Sequence, residues 1–175
     1  MGQKGRLADK RSTSDRGRRG AIIDQLDTMI LTRLEDDGRI PFRQMAAEFH
    51  ASTSTISARV SRLEEAGVIT GYSVNVNFDA LGYDLTAVVD VRVSKGKLSQ
   101  MEAEIANLPG VCMVYDVTGD SDCIVIAKFR KREDLSKFAK LLLAMPFVEH
   151  SNTHVVLSTV KESLRIPLQS SPLRS

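Results

Sequence analysis

The sequence predicts an α+β protein in two parts, on three observations. Apolar residues recur at helical spacing three times within residues 22–66. After residue 84 the apolar period switches to two. Beyond the switch a strand-helix-strand pattern occurs twice, joined by a short turn. These give a helical N-terminal part, a connecting strand and a β-α-β-β-α-β C-terminal part.

Composition sets the frame. The chain has 175 residues, enough for one large or two small domains, and its 42% apolar and 26% charged content is ordinary for a globular protein. No apolar run approaches the roughly 18 residues of a membrane span. The basic N-terminus has no apolar stretch after it, so no secretory signal is expected, and the cytoplasm is the default location. Cys112 and Cys123 form no CxxC and read as free thiols, with a disulfide as the alternative. The net charge of +2 hides an asymmetry. Residues 1–21 hold seven basic and two acidic residues, net +5, against 17 basic and 20 acidic in the remainder, net −3. With almost no large apolar side chains, 1–21 reads as a disordered basic arm: either a follower of DNA phosphates or a solvated tail.

In the first part, Ile23, Leu26, Ile30 and Leu34 mark one helix. Phe42, Met45, Ala46 and Phe49 mark a second, with Pro41 suited to its first position. Ile56, Val60 and Leu63 mark a third, stopped by Gly67. Asp37-Gly38 punctuates the first gap, and His50-Ala51-Ser52 leaves only a short turn in the second. Residues 22–67 thus form a helix-turn-helix unit. Residues 68–78, VITGYSVNVNF, read as a strand, and 68–84 as wing, hinge and linker.

In the second part, 85–163, LTAVVDVRV alternates: Leu85, Ala87, Val89, Val91 and Val93 on one side, Thr86, Asp90 and Arg92 on the other. Leu98, Met101, Ile105 and Leu108 make a helical stripe. VCMVYDVTG and CIVIAKFR read as strands about the turn DSD. Leu135, Phe138 and Leu142 mark a second helix, and residues 148–160 a last strand. Helix-Leu108-Pro109-Gly110-Val111-strand recurs 37 residues later as helix-Met145-Pro146-Phe147-Val148-strand. Two such units in series are the ferredoxin-like arrangement. Helices on one side leave the other sheet face needing cover, which a second subunit supplies most simply. Residues 164–175 are a tail.

The third helix starts oddly. Ser52, Thr53, Ser54, Thr55 and Ser57 are mediocre helix formers. At 100° per residue Ile56, Val60 and Leu63 lie within about 60° of one another. Opposite them fall Ser54, Ala58 and Ser61, with Ser57 and Arg62 on the flanks. No acid occurs before Glu64. Small residues let a backbone enter a major groove, hydroxyls bond bases or phosphates, and arginines reach the strands. The plainer alternative is that Ser52 is an ordinary cap and that Arg59 and Arg62 pair with nearby glutamates.

LDTMILTRLEDDGRI, MAAEF, STISARVSRLEEAGVITGY, ALGY, LPGV, VTGDSD and VLSTVKE resemble the Lrp/AsnC family of prokaryotic transcription regulators, across residues 22–162. The resemblance implies a winged helix-turn-helix, a hinge strand and a ferredoxin-like domain that dimerises, often into tetramers or octamers, and binds a small effector. It implies that Ser52, Thr53, Ser54, Ser57, Arg59 and Arg62 lie on the helix that contacts double-stranded DNA. It further implies an amino-acid effector held by Gly119, Asp120, Asp122, Asn152, Thr153 and His154. By itself TGDSD is an ordinary hairpin turn. His50 stands where the family usually has glycine, in a turn position of positive φ that histidine tolerates.

No metal or enzyme chemistry is expected. His150 and His154, four apart on a strand, are roughly 13 Å apart. No nucleophile-histidine-acid set, phosphate loop or HExxH occurs. The expected protein is a non-enzymatic, sequence-specific DNA-binding regulator in the cytoplasm and nucleoid, without cofactor or membrane attachment, acting as a homodimer or larger assembly under an amino-acid effector. The alternatives are an effector-independent architectural DNA binder and a metabolite-binding enzyme of ferredoxin-like fold.

Overall fold

The computed structural model describes residues 22–94 and 96–168. The basic arm expected at 1–21 and positions 169–175 of the tail lie outside the described residues. Packing divides the chain into two units, one running up to Val74 and resuming at Leu164, the other Asn75–Ser163.

In the first unit α1 spans Gln25–Asp36. Asp24 caps it: its side chain accepts from the Asp27 N–H (2.9 Å), and the Asp27 side chain accepts from the Asp24 N–H (3.0 Å). This capping box satisfies two donors that a helix start leaves open. α2 spans Phe42–Glu48, and Pro41 is its cap at φ −64°, one place earlier than expected. α3 spans Thr53–Glu65. It stops where Gly67, at φ +69°, donates to Glu64 O (2.9 Å) and Val68 N–H reaches back to Leu63 O (2.9 Å). That pair of bonds is the Schellman ending, which favours glycine. His50 turns the chain between α2 and α3 at φ +52°, alone among the described non-glycine residues in having a positive φ. Ile30, Ile40, Met45, Ala46, Ile56, Val60 and Leu63 form the buried centre of the three helices.

The strand expected over 68–78 forms no ladder among the described residues. A strand needs a neighbour for its N–H and C=O groups, and none of the four strands of this chain's sheet provides one. Val74 is left 79% exposed, with Val76 and Phe78 also exposed. Tyr72 is anchored, its hydroxyl donating to Glu64 Oε1 (2.9 Å). Residues 164–168 lie against α1: Arg165 Nη1 meets Asp36 Oδ1 at 3.3 Å, and Leu168 shares a groove with Met29 and Phe49.

The second unit follows β1 (Leu85–Val93), α4 (Leu98–Ala106), β2 (Val111–Asp116), β3 (Cys123–Phe129), α5 (Arg132–Ala144) and β4 (Val148–Val155). The sheet order is β2-β3-β1-β4, antiparallel throughout, which is the ferredoxin-like topology. One face packs on the helices: Ala87, Val89, Val91 and Val93 with Cys123, Val125, Ala127 and Phe129, against Met101, Ile105, Phe138 and Leu142. The other face carries Thr86, Val88, Asp90 and Arg92 beside Ile124, Ile126 and Lys128. Lys128 is nearly buried there, its Nζ 3.1 Å from both Thr86 Oγ1 and Glu162 Oε1. β4 ends at Val155, earlier than the expected 160. Cys112 and Cys123 are free thiols. Among the described residues no helix is long and apolar enough to cross a membrane.

The repeat seen in sequence is also a repeat of turns. Val111 N–H bonds to Leu108 O and Val148 N–H to Met145 O, each at 3.2 Å. Gly110 has a further duty. Its φ is +86°, and a Cβ there would meet Lys128 O at 2.7 Å. Gly82 has a similar φ of +81° with open space around it. Gly82→Ala is expected to cost about 1 kcal/mol, the conformational term alone. Gly110→Ala is expected to cost about 2–3 kcal/mol, because the β2–β3 backbone must also move. Urea denaturation followed by circular dichroism compares them.

Candidate nucleic-acid interface and effector pocket

α3 presents a thin polar surface. Ile56, Val60 and Leu63 are buried against the other helices, and Ser54, Ala58 and Ser61 face outward. Thr53 is also exposed, and Ser57 is half-buried. Ser52 is the cap: its Oγ accepts from Thr55 N–H (3.0 Å) and lies 2.8 Å from both Ser54 Oγ and Thr55 Oγ1. Part of the hydroxyl cluster therefore starts the helix, as the plainer reading of Ser52 holds. No acid occurs in the first turn.

Arg59 and Arg62 have ion-pair partners other than the nearby glutamates. They do not pair with Glu64 or Glu65. Both reach back to α1 and its cap. Arg59 Nη1 bonds to the Asp24 carboxylate and stands 3.2 Å from Asp27 Oδ1. Arg62 Nη2 bonds to Asp27 Oδ2. The Asp27 side chain has no solvent exposure at all. Removing one partner from a buried ion pair costs about 3–5 kcal/mol, since the remaining charge stays desolvated. These arginines are therefore held, not spare. Arg39 and Arg43 differ: both side chains are exposed and neither has an ion pair among the described residues. Arg43 lies in the first turn of α2. A lone arginine there carries no periodic signal, so the sequence did not single it out.

The six expected effector residues divide. Asp120 lines an open depression of about 640 Å³ with Asp90, Asp116, Thr118, Ser121 and Ile124. His154 Nε2 stands 2.9 Å from Asp90 Oδ2 and 3.1 Å from Asn152 Nδ2, so Asn152 and His154 reach the site through Asp90. Thr153 does not join them. It pairs in register with the buried Val89, and its side chain takes the helix-covered face; alternation along a strand forbids three consecutive residues from sharing a face. Asp122 is spent on structure: Oδ2 accepts from Val93 N–H (2.7 Å), and its own N–H bonds to Val91 O (3.0 Å). Gly119 supplies the turn at φ +125°. Arg92 clamps the loop from below by donating to Asp120 O. Asp90 was not singled out as a ligand group from sequence. The available signal was an acid between Val89 and Val91, on the side of LTAVVDVRV that faces away from the core.

Residues 23–70 match the family described as winged helix-turn-helix DNA-binding, and residues 86–166 the Lrp/AsnC ligand binding domain. An HTH-type transcriptional regulator of Pyrococcus abyssi is 44% identical over 145 residues, 83% of this chain and 99% of that protein. The chain belongs to the Lrp/AsnC family of transcription regulators. The solved structure of Escherichia coli AsnC superposes with a TM-score of 0.80 at 25% identity, covering 85% of this chain and 100% of that one. A transcriptional regulator of Neisseria meningitidis in complex with L-methionine gives 0.75 at 25% identity, over 86% and 96%.

Electrostatics in the two units of this Lrp/AsnC protein run in opposite directions. The Asp27 N–H, then Arg59, hold the Asp24 carboxyl below the usual range. Asp24, ahead of Asp27, pushes Arg59 up. In the second unit, on α4, burial and then Asp116 push Glu102 up, and Glu102 Oε1 has no hydrogen-bond partner among the described residues. Burial, with Glu102, Asp122 and Asp116 behind it, pushes Cys123 up to about 11.

A depressed carboxyl stabilises above its unfolded value and loses that contribution as pH falls through the folded one. Asp24→Asn keeps a capping side chain but not the charge. Its melting temperature is expected below wild type at neutral pH, with the gap closing below about pH 4. Glu102 has the reverse sign: its ionised form is penalised in the fold. Glu102→Gln is expected to raise the melting temperature at neutral pH and to leave it unchanged in acid. Thermal melts across pH check both.

Proposed function

We propose that this regulator reads a specific DNA site with α3, as a homodimer or larger assembly, and that an amino acid bound at the acidic depression alters that binding. The observation that carries the DNA half is the outward face of α3: small, hydroxylic and free of acid until Glu64, with the apolar stripe behind it. Thr53, Ser54, Ser57, Ala58 and Ser61 are the residues that would meet base edges. Arg43 on α2 would meet phosphate, since the first helix of a helix-turn-helix crosses the backbone. Such a protein works in the cytoplasm, at the nucleoid.

The effector half rests on Asp90 and Asp120 around one depression. Carboxylates receive an ammonium group, and Thr118 and Ser121 offer hydroxyls to a carboxylate. The neisserial relative's complex with L-methionine supports an amino acid as the ligand class. Two features support a homodimer: the sheet face opposite the helices, and the unpaired segment with Val74, Val76 and Phe78 exposed. One observation favours an effector-independent binder instead. Asp122 and Asp90 already have partners in this chain, Val93 N–H and His154.

Calorimetry against the twenty amino acids separates the two readings. Heat with at least one of them, lost by about 10–100-fold in affinity on Asp90→Asn or Asp120→Asn, is the expected result. No heat with any amino acid favours the effector-independent reading. Gel retardation at low salt, with and without the amino acid that gives heat, then reports whether DNA affinity changes.

A further inference from the structure

We infer that Asp27 is a positioning residue for DNA reading: it holds Arg59 and Arg62 from behind, so that both arginines act by orienting α3 and not by touching DNA. Three donors converge on this wholly buried carboxylate: the Asp24 N–H at 3.0 Å, Arg59 Nη1 and Arg62 Nη2. Asp24 doubles the hold by bonding the same Arg59 Nη1. Arg59 follows Ala58 and precedes the buried Val60, and Arg62 precedes the buried Leu63, so both flank the apolar stripe on the same side.

The two kinds of contact do different work. Ile56, Val60 and Leu63 hold α3 in place through non-directional burial, which tolerates some rotation of the helix about its axis. Two guanidiniums tied to one fixed, buried carboxylate at two points along the helix restrict it. Rotation is the variable that decides whether Ser54, Ala58 and Ser61 face a groove. For Arg59 or Arg62 to swing onto phosphate, Asp27 would have to surrender a cation while remaining buried. The capping box extends the chain of cause to the start of α1: the bonds that begin that helix also aim the Asp27 carboxylate at α3.

The inference rests on α3 being the DNA-reading helix, and salt dependence separates the two. The full chain is used to select a duplex of about 40 base pairs from a random pool, a length that spans several helical turns. Affinity for that duplex and for an unselected one is then measured across salt concentrations. Arg62→Ala and Asp27→Asn are each expected to weaken the selected duplex about tenfold or more and the unselected one hardly at all. The double variant is expected to be no weaker than the poorer single one, as for residues acting as a unit. The slope of log affinity against log salt stays at the wild-type value for all three, whereas Arg43→Ala lowers it by about one.

A slope lowered by about one in Arg62→Ala overturns the inference, because Arg62 is then a phosphate contact. Unchanged or tighter binding by Asp27→Asn overturns it too, because released arginines would then serve DNA better. Should Asp27→Asn fail to give a native melting curve, the half-exposed Arg62→Ala decides alone by its slope. A wild-type chain that enriches no duplex overturns the DNA reading, and the inference with it.

Discussion

The Asp27 carboxylate is the constraint on which the N-terminal unit depends. A charge with no solvent exposure must be satisfied inside the protein. Asp27 is satisfied by one backbone N–H from its own helix cap and by two guanidiniums from α3. Helix start, helix docking and charge balance are thus one network: two acids from the start of α1 and two cations from α3. Apolar burial supplies most of the attraction between these helices. The network decides which way the attracted helix faces. An ordinary surface ion pair could not do this, because water and salt would reduce it to a fraction of a kcal/mol.

The C-terminal unit solves a related problem on a sheet. Its core is one-sided, with β1 and β3 facing α4 and α5 through alternate residues. Alternation then determines what the other face holds. Asp90 lies there because Val89 and Val91 lie in the core. Asn152 and His154 lie beside it because Thr153 does not. The 117–122 loop is tied to the end of β1 by Asp122 and Arg92, which leaves Asp120 to line the depression. The loop's two acids look equivalent in TGDSD. One is a backbone acceptor and the other a wall of the site.

The elements were legible where a single period governed them. Ile56, Val60 and Leu63 identify the buried side of α3, and Leu85 to Val93 show both faces of β1, because each residue's fate follows from its neighbours at fixed spacing. Leu108-Pro109-Gly110 and Met145-Pro146-Phe147 revealed the repeated turn for the same reason. What could not be read locally depended on partners distant in sequence. Arg59 meets Asp24 across 35 residues, and Asp90 meets His154 across 64. Helical spacing puts Glu65 one turn from Arg62, yet the carboxylates that hold both arginines come from α1 and its cap. The segment 68–78 has the composition of a strand but no neighbour in its own sheet. Composition describes what a strand can be; pairing needs a second one.

Charge distribution gives the hydroxyl-rich start of α3 its physical sense. With Arg59 and Arg62 committed to Asp24 and Asp27, the outward surface of the first turns is nearly neutral. A neutral surface has little sequence-independent pull on DNA, because that pull comes from displaced counterions. Any non-specific attraction in the described part of the unit must then come from cations outside α3, Arg39 and Arg43 among them. If α3 is the reading helix, as proposed, reading and attraction fall to different helices. Hydroxyls bond well only at short range and in the right orientation. A face built from them discriminates only if the helix behind it is held still, and a buried, doubly paired carboxylate is a physical means of holding it.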